Sequence, residues 1–218
     1  MKKNYIFPLL LATLVSACSS TKLPATEGIL NQDLIDAYDD QQKTLNVYRS
    51  ELLFDNNKLA HNCTSYLELS KNSTLVESVN NMMVKSEYLI CDAMEILSRS
   101  KHINGPRLNS RHGEKLARNL DLRSFPSSLF RAADETNHTL YSLFSAEVDA
   151  NENVALYDSS DWLLRVEVAA EAYINENEFK DWIVWVSDEA KNGNYRSYST
   201  LIIYDPSIND SYQATLIP

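Results

Sequence analysis

A chain of 218 residues with a formal net charge of −10, 44% hydrophobic and 23% charged residues, is long enough and apolar enough to bury one sizeable core. The acidic balance argues against a nucleic-acid partner. Its four glycines, Gly28, Gly105, Gly113 and Gly193, supply neither a Gly-rich phosphate loop nor a Gly-x-Ser-x-Gly nucleophile elbow.

The chain opens MKKNYIFPLLLATLVSAC, with Lys2 and Lys3 ahead of an apolar run over residues 5–15. That run is too short for a membrane span, which takes ~20 apolar residues, and its layout is that of a secretory signal. Val15-Ser16-Ala17-Cys18 resembles the lipobox of bacterial lipoproteins. The resemblance covers only this end of the chain. It implies that residues 1–17 are removed and that Cys18 carries lipid as the new N-terminus. Ser19 follows, where lipoproteins kept at the inner membrane often carry Asp, so the resemblance implies the outer membrane, facing the periplasm. Removing Lys2 and Lys3 takes the net charge from −10 to −12. Residues 18–28 read as lipidated N-terminus and tether: SSTKLPATEG lacks apolar periodicity, carries Pro24 and Gly28, and reaches at most ~35 Å.

Residues 29–218 read as a single α+β domain, with 29–146 mainly helical in three to four helices and 152–218 mainly strands in an antiparallel meander. Leu30, Leu34, Ala37, Tyr38, Leu45, Tyr48 and Leu52 recur at helical spacing, which predicts one long helix. Thr74 and Glu77 have capping-box spacing ahead of a stripe from Leu75 through Met82, Met83, Leu89, Ile90 and Met94 to Leu97, a second helix. The methionines, at helical spacing beside Leu and Ile, read as core. Cys91 borders that stripe. With Cys18 lipidated, Cys63 and Cys91 form an even pair in an oxidising compartment, and a disulfide is expected.

Asn104-Gly105-Pro106 predicts a stop. Residues 99–123 carry seven basic side chains against Glu114 and Asp121, whereas residues 124–218 carry five basic against sixteen acidic. Leu116, Ala117 and Leu120 permit a short helix inside the basic segment. Another is predicted from Pro126 through Leu129, Phe130, Ala133, Leu140, Tyr141 and Phe144.

Beyond this the period changes to two. Arg165, Glu167 and Glu171 occupy odd positions, and Leu164, Val166, Val168, Ala170, Ala172 and Ile174 even ones, which puts each set on one face of a strand. A turn near Glu176 and Asn177, then one at Asn192-Gly193, predicts strands over residues 179–187 and 195–204. The turns set a register: Ile174 with Phe179, Val168 with Trp185, Arg165 with Asp188, Glu189 with Arg196, Trp182 with Ile203. One face then carries Val168, Ile183, Trp185 and Ile202; the other carries Ala169, Trp182, Val184, Leu201 and Ile203 beside Glu167 and Glu171. Both are apolar in part, and coverage of both within the chain is the expected arrangement.

His61, His102, His112 and His138 lack His-Glu-x-x-His spacing, and a metal site of Cys63, Cys91 and His61 would lack a fourth ligand at useful spacing. No catalytic residue, cofactor or metal is expected. Two surfaces are candidates for a partner: Trp182 with Glu167 and Glu171, and the basic Arg107, Arg111, Lys115 and Arg118, whose simpler role is a solvated helix or a match for the chain's own acids. The resulting expectation is a lipid-anchored envelope protein that acts by binding an envelope partner, as an accessory or assembly factor. An inhibitor or immunity lipoprotein facing a basic toxin or hydrolase, and an envelope enzyme without a recognisable motif, are the alternatives.

Overall fold

Regular structure in the computed structural model, which describes residues 28–101 and 111–217, begins where Asn31 caps the first helix. The signal, Cys18, nearly all of the tether, the Asn104-Gly105-Pro106 stop and Arg107 lie outside the described residues. The Asn31 side chain accepts from the Leu34 amide to start α1 (Gln32–Asp39), which buries Leu34 and Ala37. The predicted long helix breaks at Asp40. Its backbone leaves helical space, and its carboxylate accepts from the Lys43 amide to start α2 (Gln41–Asn46). Two successive aspartates oppose the helix dipole at a C-terminus and suit it at an N-terminus.

Leu52 then belongs to β1 (Leu52–Leu53), paired with β2 (Leu59–Ala60). The stretch holding Cys63 forms α3 (Cys63–Ser70), and Asn62 and Ser65 close a capping box at its start. Thr74 caps nothing. Its hydroxyl donates to Asp55, Leu75 bridges to Phe54 and the Val76 amide donates to Leu53, so this segment extends the small sheet. Ser78 caps the helical run instead, which proceeds as α4 (Val79–Val84), a 3-10 turn (Lys85–Tyr88) and α5 (Leu89–Arg99). The apolar stripe holds through α5: Leu89, Ala93, Met94, Ile96 and Leu97 are buried, although Met83 is exposed. Cys63 and Cys91 form a disulfide that joins α3 to α5 among Leu52, Phe54, Tyr66 and Tyr88.

The short basic helix is present as α6 (His112–Asn119), with Leu116, Ala117 and Leu120 buried. Gly113 sits against the strand below: a β-carbon there would lie 2.1 Å from the Val154 carbonyl oxygen and 2.3 Å from that of Asn151. Gly113→Ala is therefore expected to destabilise the fold by ~1–3 kcal/mol, as overpacking against backbone does, and chemical denaturation measures it.

The helix predicted from Pro126 is reduced to α7 (Leu140–Phe144). Ser128 is held by the Asp188 carboxylate through both its amide and its hydroxyl, and Asp134 accepts from the amides of Thr136 and Asn137. Those local bonds compete with the helical ladder.

A six-stranded antiparallel sheet follows, in sequence order: β3 (Val148–Ala150), β4 (Val154–Asp158), β5 (Trp162–Ala172), β6 (Asp181–Ala190), β7 (Arg196–Ile203) and β8 (Ala214–Leu216). The second predicted register is observed, Trp182 facing Ile203 and Glu189 facing Arg196. The first is observed only beyond a bulge at Ala169. There Glu171 faces Trp182, as that register requires, but below it Val168 faces Val184 rather than Trp185, and Arg165 faces Ser187 rather than Asp188. The chain entering α1 causes the bulge's unusual pairing: the amides of Leu30 and Asn31 both donate to the Ala169 carbonyl, at 2.8 and 3.1 Å.

One extra residue flips every side chain beyond it. Leu164, Val166 and Val168 therefore join Trp182, Val184, Leu201 and Ile203 in a core under α6 and α7. Ala170 and Ala172 join Ile183, Trp185 and Ile202 in a second core under α1 and α5. Val168 thus moves to the Trp182 face, and Glu167 and Glu171 lie on opposite faces. Both faces are covered by the chain's own helices.

Candidate functional site

The acidic and aromatic candidates are interior groups. Trp182 is 3% exposed, edge-on to His112 at 4.8 Å and to Tyr212 at 5.3 Å between ring centroids. Glu171 takes His112 Nε2 at 2.8 Å on one oxygen and Lys180 Nζ at 3.3 Å on the other. Burial pushes the Glu171 carboxyl up, but the hydrogen bond and electrostatic pull of His112, with Lys180 beside it, leave it below its ordinary value. Glu167 accepts from Asn31 at 2.9 Å, from Asn153 at 3.2 Å, and from the Arg165 guanidinium at 2.6 Å. It locks the start of α1 and the β3–β4 turn to β5. Glu167 is buried and Glu171 is 14% exposed, and the carboxylates of both are already taken up by partners within the chain.

The basic candidates are spread out. Arg111 is exposed ahead of α6, and Lys115 lies 6.0 Å from the Trp182 ring centroid. Arg118 pairs with Glu114 at 2.6 Å and lies 5.4 Å from the Tyr141 ring. Arg123 forks onto Asp121, whose carboxyl that guanidinium holds well below its usual range. Two of the segment's seven basic side chains are thus paired with its two acids. Among the described residues no group of three His, Cys, Asp or Glu side chains could hold a metal ion.

A different place gathers chemistry: the seam where the disulfide-clipped helices meet β7 and β8. A cavity of about 310 Å³ opens there, walled by Phe54, Leu75, Leu216 and Ile217 and edged by the hydroxyls of Ser70, Ser73 and Thr74. At its back lies a closed polar network. Lys85 Nζ is 2.9 Å from Asp92 Oδ2 and donates to the Tyr66 hydroxyl at 2.7 Å; Tyr66 donates to Asp92 Oδ1 at 2.8 Å, and Thr200 donates to Asp92 Oδ2 at 3.1 Å. The Lys85 and Asp92 side chains are 16% and 9% exposed. Two of the ammonium's three donors are occupied, which leaves one for the cavity. Burial lowers the Lys85 pKa, and the Asp92 carboxylate and Tyr66 hydroxyl together more than offset it, leaving it raised and the ammonium charged.

Tyr66, Tyr88 and Tyr198, which surround this region, are pushed up to about 12, chiefly by burial. A phenol with a raised folded pKa keeps its proton longer when folded than when unfolded. Its contribution is full below pH 10 and is lost as pH rises through 12. Stability measured by denaturant against pH is expected to hold to about 10 and fall between there and 12, with a shallower fall in Tyr66→Phe.

The sequence reading missed this site. One sign was available: Asp92 stands three residues after Leu89 and four before Ile96, inside the apolar stripe, with Lys85 two turns earlier on the same side. A charge at a buried helical position requires a partner. Thr200 arrives from the far end of the chain, which no local pattern reports.

The chain matches no known family model, no curated protein and no solved structure.

Proposed function

We propose that this chain is the precursor of an outer-membrane lipoprotein, anchored through Cys18 and facing the periplasm, whose single α+β domain over residues 29–218 works by binding an envelope partner at the seam cavity. The observation that carries the binding part is the composition of the cavity. Apolar walls set the contact area, while a few fixed polar groups orient what enters; that combination characterises recognition sites. The anchor part rests on the lipobox resemblance at Val15-Ser16-Ala17-Cys18. The disulfide is consistent with an oxidising compartment.

The inhibitor alternative draws on the acidic last third of the chain; within it Glu167 is buried and Glu171 is paired with His112 and Lys180, so these two residues add little to such a surface. Of the basic candidates among the described residues, Arg118 pairs with Glu114 and Lys115 lies by Trp182, while Arg111 is exposed.

The test is site-specific photo-crosslinking in intact cells, with the reactive side chain at Thr74 on the exposed rim and, as control, at the exposed Asp210. A discrete adduct at Thr74 that is missing at Asp210 is the expected result. No adduct at Thr74 under conditions where the protein is membrane-bound removes the seam as the binding site.

A further inference from the structure

The seam cavity ends on the outer edge of β7, and β8 leaves part of that edge without a strand partner. In an antiparallel ladder alternate residues turn their amide and carbonyl to the same side. The Ala190 amide donates to the Tyr195 carbonyl, so the odd residues Tyr195, Ser197 and Ser199 serve β6; the Ile217 amide donates to the Thr200 carbonyl, so even residues point outward. β8 covers only Leu201, Ile202 and Ile203. Among the described residues, no strand meets the outward amides and carbonyls of Arg196 and Tyr198.

Each face of the sheet has a cavity beside this edge. On the α5 side lies the seam cavity, lined by Tyr198 and Thr200. On the opposite side a second cavity of about 430 Å³ is lined by Pro126, Phe130, Arg131, Tyr195 and Ser197. Phe130 is 50% exposed, and Arg131 makes no ion pair among the described residues. A strand laid along β7 drops successive side chains onto alternate faces.

We infer that β7 accepts an extended peptide segment of a partner protein as an added strand. Its backbone pairs with Arg196 and Tyr198, one side chain enters the seam cavity, and its neighbour, an acidic one, meets Arg131. This rests on the seam being a binding site and names the class of partner. Main-chain hydrogen bonds hold such a segment, and the two cavities select its sequence. A strand edge without a pairing partner is otherwise an aggregation hazard, which a dedicated occupant removes.

The probe is a set of short peptides selected from a random display library on the full-length lipidated protein in detergent micelles. Hydrogen exchange of the protein is then read residue by residue. The expected result is that selected peptides slow exchange at the Arg196 and Tyr198 amides by about tenfold or more. N-methylation of the peptide should abolish binding at every second residue only, and Arg131→Glu should weaken peptides bearing a carboxylate. Selection of no peptide, or of peptides that protect neither amide, overturns the proposal. If those amides stay unprotected while Thr74 still yields its adduct in cells, strand addition fails and the seam survives as a binding site; loss of both removes both.

Discussion

Replacing Lys85 by methionine should cost ~3–5 kcal/mol of folding stability, a large part of what a domain of this size holds in reserve. The pair is enclosed, with side chains 16% and 9% exposed, and Asp92 accepts from Tyr66, Thr200 and Lys85 together. Removing the ammonium leaves a carboxylate in the interior held by two hydroxyls alone. A second change, Asp92→Leu on the same chain, should return most of the loss, because an apolar pair replaces a buried ion pair nearly neutrally whereas half of one is costly. Urea denaturation of the two variants separates these effects. If the single variant lost less than ~1 kcal/mol, the pair would be behaving as a solvated surface bridge.

Opening the disulfide should have the next largest effect. Cys63 and Cys91 are separated by 28 residues, and closing a loop of that size restricts the unfolded chain by ~3–4 kcal/mol. Replacing both by alanine should lower the denaturation midpoint accordingly, and reduction of the wild-type protein should reproduce the change. The loss falls on the unit that frames the seam cavity, because Cys63 lies one helical turn before Tyr66 and Cys91 adjoins Asp92. The seam should therefore loosen first, visible as faster exchange in α3 and α5 relative to β5 and β6. Unchanged exchange there would mean that the Leu52, Phe54, Tyr66 and Tyr88 packing holds the unit without the bridge.

The mixed helix and antiparallel-sheet layout was legible because its signals are local. Period two over residues 164–172, Asn192-Gly193, and the stripe from Leu89 to Leu97 each act within one element. The failures share a cause, competition from partners elsewhere in the chain. Asp40 divides the first helix because it caps the second half better than it continues the first. Ser128 leaves the helical path for Asp188, sixty residues on. The bulge at Ala169 forms where residues 30 and 31 donate to its carbonyl, and nothing near Ala169 announces them. That single residue decided the fate of the predicted acidic surface, since it sent Glu167 to the α1 side and Glu171 to His112. The seam was hidden for the same reason: its four polar members come from residues 66, 85, 92 and 200.

The proposed anchoring at Cys18 comes first, because the compartment decides whether the Cys63–Cys91 bridge forms and which proteins can supply an extended segment. The most direct measurement is the mass of the N-terminal peptide of the protein isolated from cell membranes. The account predicts a chain that starts at Cys18 and carries acyl groups on that residue. A chain that retains residues 1–17, or starts elsewhere without lipid, would contradict it.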